Sequence, residues 1–156
     1  MAGIAKTQHP GRFEKILRSP VIIRDGAHNP GAARALRDAL YSDKTLPEDK
    51  KIHLIMGVFK DKDYREILRI MLPGSVSLIA FDLPDPVRGL PKEDLAKAAE
   101  EITEEITENG SGGAAGINIR TAGSLKEALE ETESAGPGDV YVVFGSLSLM
   151  QLFKEI

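Results

Sequence analysis

The chain has 156 residues, of which 42% are hydrophobic and 28% are charged, a length and balance typical of one globular domain and not of a disordered chain. It contains no cysteine and has a formal net charge of −4, which excludes disulfide scaffolds and thiol catalysis and disfavours nucleic acid as a partner. No apolar run reaches the roughly 20 residues needed to span a bilayer. Residues 1–12 lack the apolar core of a signal peptide. We therefore expect a cytoplasmic protein that does not bind membranes.

The first predicted element is a hairpin formed by residues 13–17 and 21–24. The three residues between these segments are too few for the crossover helix that parallel strands require, so the two strands are expected to be antiparallel. Asn29 and Pro30 then predict a helix start, because asparagine caps helices and proline suits the first helical position.

From residue 52 onward, strand and helix patterns alternate, which predicts an α/β domain with a mainly parallel sheet and one antiparallel edge strand. The predicted strands are 52–56, 75–81, 117–120 and 140–144, and further helices begin at Asp63, Pro91, Ser124 and Ser146.

A polar segment at residues 25–30 follows the second strand, at the edge of the sheet where open α/β proteins bind ligands. Asp25 and His28 place a carboxylate and an imidazole three residues apart, and Gly26 permits a tight turn. This arrangement suits a hydroxyl, a phosphate or a reacting group. The alternative is that Asp25 and Asn29 only cap the helix while His28 is solvated, and the spacing alone leaves the two interpretations evenly balanced.

Three other segments place polar residues after predicted strands. Lys60 or Lys62 could hold an anionic ligand, although a solvated charge run is the commoner outcome for such a pattern. Ser146, at the start of the last predicted helix, suits a carboxylate or a phosphate, or is a plain helix cap. Arg88 is interpreted as a solvated surface arginine, and His53 as a half-buried packing residue within a strand. We predict no metal site.

Five motifs occur in one order along the chain: P-G-R at 10–12, D-G-A-H-N-P at 25–30, G-V-F-K-D-K-D at 57–63, V-R-G-L-P at 87–91 and G-S-L at 145–147. In this order they resemble the carboxyl-terminal domain of folylpolyglutamate synthase/dihydrofolate synthase, in the Mur ligase superfamily. The resemblance extends from about residue 8 to residue 156, and the D-G-A-H-N-P string is its most specific part.

The resemblance implies a Rossmann-like sheet of about six strands, one of them antiparallel, with helices on both faces. It also implies an ATP- and Mg²⁺-dependent ligase that phosphorylates the carboxylate of a folate or dihydropteroate, after which the amine of L-glutamate attacks the acyl phosphate. The positions that it implies are Arg12, Asp25 and Asn29 at the nucleotide, His28 and Asp25 at the reacting groups, and Lys62 (or Lys60) and Ser146 at glutamate.

Residues 1–156 are expected to form one such domain, without the amino-terminal and central P-loop domains of the family. No G-x-x-x-x-G-K-[ST] loop occurs in the sequence, and this loop is the usual cradle for nucleotide phosphates. We therefore expect the chain to be inactive alone and to require an ATPase domain in cis or in trans. Two alternatives stay open: a non-catalytic α/β binding module, and the equivalent domain of a Mur cell-wall ligase.

Overall fold

The computed structural model describes residues 13–18, 20–110 and 116–154. Their centre is a six-stranded sheet with the order β1-β2-β6-β3-β4-β5, in which only the pair β1–β2 is antiparallel. The predicted mainly parallel sheet with an antiparallel edge strand is confirmed. The strands are β1 (Glu14–Arg18), β2 (Val21–Arg24), β3 (Lys51–Met56), β4 (Ser75–Phe81), β5 (Asn118–Ala122) and β6 (Asp139–Phe144).

Helices cover both faces of the sheet, as predicted. The first three pack on one face and the last two on the other, each against its own cluster of buried apolar side chains. Among the described residues, no helix is long and apolar enough to cross a membrane. The helices are α1 (Pro30–Ser42), α2 (Tyr64–Met71), α3 (Lys92–Glu108), α4 (Leu125–Leu129), continued by a 3₁₀ helix at Glu130–Ser134, and α5 (Leu149–Lys154).

Side-chain caps fix three of the predicted helix starts. Asn29 Oδ1 accepts the backbone N–H of Ala32 at 2.8 Å, and Asp63 Oδ1 and Ser124 Oγ accept the N–H groups of the residues three positions later. Each bond satisfies a donor that the first helical turn leaves without a partner. The last helix differs from the prediction, because it begins at Leu149 and not at Ser146.

The connections place a crevice between β6 and β3. The helix after β3 lies on one face of the sheet, and the helix after β6 lies on the other. The two loops therefore leave the carboxyl ends of adjacent strands in opposite directions. This is the switch point at which open α/β sheets bind their ligands.

Candidate functional site

Two glycines bring the loops after β3 and β6 into close contact at this crevice. The N–H of Gly57 donates to the carbonyl oxygen of Phe144 at 3.3 Å. Gly145 has a φ of +118°, and a Cβ at this position would overlap the carbonyl oxygen of Gly57. A Cβ on Gly57 would itself lie 2.7 Å from the Phe81 ring. Only glycine permits this approach at both positions.

The crevice opens into a pocket of about 180 Å³ whose lining comes from loops that follow four adjacent strands, β2, β6, β3 and β4. Three of the predicted site residues are therefore brought together, although they are far apart in the chain. The lining residues are His28, Phe59, Lys62, Arg88, Ser146, Leu147 and Ser148.

His28 is half-buried at the rim of this pocket. Its Nδ1 lies 2.9 Å from the carbonyl oxygen of Gly26. Because a carbonyl oxygen only accepts hydrogen bonds, Nδ1 carries the proton and donates it. In the neutral ring, Nε2 is then the nitrogen with a lone pair that a ligand or a reacting group can use.

The structure separates the two candidate lysines. Lys62 is half-buried and lines the pocket, whereas Lys60 is exposed and does not. The backbone N–H of Lys62 donates to the carbonyl oxygen of Phe59 at 3.2 Å, which closes the turn before α2. Lys62 is thus the lysine that this geometry favours for an anionic ligand.

Ser146 is almost fully buried, and its Oγ lies 2.7 Å from Ser148 Oγ. Ser146 Oγ also accepts the backbone N–H of Ser148 at 3.1 Å. This turn precedes α5, so the expectation that Ser146 opens the last helix is wrong. The two hydroxyl groups, and not a helix end, line this side of the pocket.

Asp25 and Asn29 do not line the pocket. Asp25 is buried, its Oδ1 accepts the N–H of Ala27 at 2.8 Å, and its Oδ2 accepts the N–H of Phe13 at 2.8 Å. These bonds hold the turn after β2 against the start of β1. Arg12 lies outside the described residues. The roles assigned to these three residues stay predictions.

The sequence did not point to Phe59 or Ser148. Arg88 is exposed, as the solvated interpretation expects, and it also lines the pocket. The guanidinium carbon of Arg88 lies 4.3 Å from the centroid of the Phe59 ring. An isolated antiparallel bridge joins Phe59 to Gly89. No local sequence pattern predicts this pairing, because the two segments are about 30 positions apart in the chain.

The charge of the pocket is positive in a chain whose formal net charge is −4. Lys62 and Arg88 both line it, and none of the lining residues that the structure describes carries a carboxylate. Within the described part of the chain, no group of three or more histidine, aspartate or glutamate side chains could hold a metal ion. The two cations of the pocket therefore suit an anionic ligand.

Comparisons with known proteins concern the family and the fold of the chain. The family model for the Mur ligase, glutamate ligase domain matches residues 11–147. The folylpolyglutamate synthase of Lacticaseibacillus casei is 28% identical over 157 residues, which cover 98% of this chain and 31% of that protein. The dihydrofolate synthase/folylpolyglutamate synthase of Mycobacterium tuberculosis is 31% identical over 136 residues, or 85% of this chain and 24% of that protein.

Solved structures show the same fold. Mycobacterium tuberculosis folylpolyglutamate synthase complexed with ADP superposes with a TM-score of 0.75 at 29% identity, over 97% of this chain and 34% of that chain. E. coli FolC in complex with DHPP and ADP gives a TM-score of 0.75 at 26% identity, over 98% of this chain and 33% of that chain. The chain thus spans about a third or less of the length of these proteins. It belongs to the family of Mur ligase C-terminal, or glutamate ligase, domains, and its homologues are folylpolyglutamate and dihydrofolate synthases.

Proposed function

We propose that this chain is the glutamate-binding domain of an ATP-dependent ligase that joins L-glutamate to the carboxyl group of a folate or dihydropteroate. The observation that carries this proposal is the pocket that gathers His28, Lys62 and Ser146 from three loops without a carboxylate among its lining residues. An ammonium group and hydroxyl groups are the partners that a carboxylate ligand requires when it leaves water.

The proposed reaction has two steps. An oxygen of the acceptor carboxylate attacks the γ-phosphorus of ATP, and ADP leaves. The amine nitrogen of glutamate then attacks the acyl carbon, phosphate leaves, and the nitrogen loses a proton. In this proposal Lys62 and Ser146 hold glutamate. His28 Nε2 accepts the proton, since Nδ1 already carries a proton and donates it to the carbonyl oxygen of Gly26.

Two of the structural neighbours reported above are complexes with ADP, which supports nucleotide contacts for this family. We assign these contacts to Arg12, Asp25 and Asn29. Because the described residues offer no metal-ligand cluster, we assign no Mg²⁺ ligand to this chain. The triphosphate and its Mg²⁺ are then held by an ATPase domain outside these 156 residues, in cis or in trans, and the reaction takes place in the cytoplasm.

The acceptor substrate is proposed from the relatives. The two curated relatives described above are named for folylpolyglutamate or dihydrofolate synthesis, and E. coli FolC was solved with DHPP. These names favour a folate-type acceptor over the cell-wall precursor of other Mur ligases. The positive pocket contributes nothing to this choice, because it would bind the amino acid in either case.

A chimera tests this function: the chain replaces the matching segment of the Lacticaseibacillus casei folylpolyglutamate synthase. We expect it to release ADP over many turnovers only when L-glutamate and the folate acceptor are both present, because glutamate consumes the acyl phosphate formed in the first step. Lys62→Met should lower kcat/KM for glutamate by about tenfold or more, because a half-buried charge partner is lost. Lys60→Met is the matched control, in the same loop but outside the pocket, and should leave kcat/KM nearly unchanged. Equal effects of the two substitutions, or a folded chimera without glutamate-dependent ADP release, would contradict the proposed function.

A further inference from the structure

Arg88 has an unusual environment among the arginines whose side chains the structure describes. Each of the others forms an ion pair with a carboxylate or a hydrogen bond to backbone carbonyl oxygens. Among the described residues, the guanidinium of Arg88 contacts only the face of the Phe59 ring, 4.3 Å away. The arginines with oxygen partners are Arg24, Arg34, Arg37, Arg65, Arg69 and Arg120.

The backbone of Arg88 is held firmly by its own loop. Asp85 Oδ1 accepts the N–H groups of Val87 at 3.1 Å and Arg88 at 3.0 Å, and the carbonyl oxygen of Asp85 accepts the N–H of Gly89 at 2.8 Å. These three bonds close a tight turn. The backbone of Arg88 is therefore in place before any ligand arrives, which lowers the backbone entropy lost on binding.

The same turn is joined to the loop after β3. The carbonyl oxygen of Arg88 accepts the N–H of Lys60 at 2.8 Å, and the N–H of Leu90 donates to the carbonyl oxygen of Val58 at 2.9 Å. These two hydrogen bonds connect the loop that contains Arg88 to the loop that contains Lys62, and both residues line the same pocket. Stacking on Phe59 uses the face of the guanidinium group, so its N–H donors, which lie in its plane, stay available to a ligand.

Lys62 and Arg88 place two cations at one pocket, and none of the described residues that line it is acidic. Arg88 is exposed and Lys62 is half-buried. A ligand with one carboxylate could pair with only one of these cations, whereas a ligand with two carboxylates could pair with both. We propose that Arg88 binds the second carboxylate of the amino-acid substrate through two parallel N–H···O bonds and so makes the pocket selective for a dicarboxylic amino acid. This inference rests on the proposed function for the identity of the substrate, and it adds a specificity-determining residue.

Binding of L-glutamate and of L-glutamine to the 156-residue chain, followed by amide shifts up to millimolar concentrations, tests this role. The two ligands are nearly the same size and differ in the second carboxylate. We expect the chain to bind glutamate about tenfold or more tightly than glutamine, because a charge-assisted bidentate pair is lost with the amide. Arg88→Met should remove this preference, and Arg88→Lys should reduce it, since an ammonium cannot form two parallel bonds.

Arg34→Met is the matched control, because it removes the same charge from an exposed position outside the pocket. It should keep the preference for glutamate. Equal binding of the two amino acids by the unmodified chain, a preference that survives Arg88→Met, or no binding of either ligand would overturn the role of Arg88. The chimera assay separates these outcomes from a failure of the proposed function, because glutamate-dependent ADP release would persist there.

Discussion

His53 shows how a polar residue is accommodated within the apolar centre of the sheet. Its Nδ1 lies 2.7 Å from Ser77 Oγ and its Nε2 lies 2.9 Å from Asp139 Oδ1, on the two strands that flank β3. The imidazole also stacks on Tyr141, with ring centroids 4.6 Å apart. The predicted half-buried packing role is confirmed. The hydrogen bonds to both ring nitrogens explain why a histidine is tolerated there.

Asp139 provides the first prediction. The N–H of Gly136 and the imidazole of His53 hold the pKa of Asp139 below its ordinary value of 3.8. A lowered pKa in the folded state stabilises the protein above the unfolded pKa, and this stabilisation is lost as the pH falls through the folded pKa. Asp139→Asn should therefore lower the free energy of unfolding by about 1–2 kcal/mol near neutral pH, and by less below about pH 4.

Urea unfolding of both proteins, near neutral pH and near pH 3, measures this difference. Asp38→Asn, on the surface helix α1, is a suitable control, since the Asp38 carboxylate makes no ion pair in the described part of the chain. It should change stability by less than about 0.5 kcal/mol at either pH. A penalty for Asp139→Asn that stays constant across this pH range would show that the carboxylate charge is not what stabilises the strand ends.

The close contact between the loops after β3 and β6 decides the geometry of the pocket. This contact is possible because residue 145 is a glycine. Gly145→Ala would place a methyl group against the carbonyl oxygen of Gly57 while forcing alanine to adopt a φ of +118°. We expect a loss of about 2–4 kcal/mol in the free energy of unfolding, measured by urea denaturation. The loops should also separate, so the chimera should lose affinity for glutamate.

Gly110→Ala is the matched control for this substitution. Gly110 also has a positive φ, of +80°, but nothing lies within 4 Å of the position its Cβ would occupy. Its substitution should cost only about 1 kcal/mol, the penalty of the backbone conformation itself. If both glycine substitutions proved equally destabilising, the close contact between the loops would contribute nothing, and our explanation of the crevice would be wrong.

The elements that the sequence predicts well are those with local signals. Asn29, Asp63 and Ser124 each cap a helix through a bond to a residue three positions later, so a short window contains both partners. For Ser146 a short window predicts a helix start that is wrong. The Ser146 hydroxyl accepts the N–H two positions later and forms a turn, so the helix begins only at Leu149. The bridge between Phe59 and Gly89 has no local signal at all.

At the scale of the whole molecule, strand order is what assembles the site. The last strand, β6, lies between β2 and β3, so the loops that carry His28, Ser146 and Lys62 become neighbours. Periodicity predicts the strands but not this order. The family resemblance implied about six strands with one antiparallel, and the order itself comes from the structure. The structure also distinguishes Lys60 from Lys62, because both follow the same strand but only Lys62 is half-buried and lines the pocket. That Lys62 binds the ligand stays a prediction.

The last prediction concerns the 156-residue chain by itself in solution. A transferable phosphoryl group requires several N–H donors and a metal ion around the triphosphate, and the sequence contains no P-loop to supply them. The purified 156-residue chain, incubated with Mg²⁺, ATP, dihydropteroate and L-glutamate, should therefore form no amide product and release no ADP above background. A coupled ADP assay and chromatography of the products measure both. Turnover that increases with chain concentration and disappears in Lys62→Met would contradict this expectation, because a contaminating ATPase would not respond to that substitution.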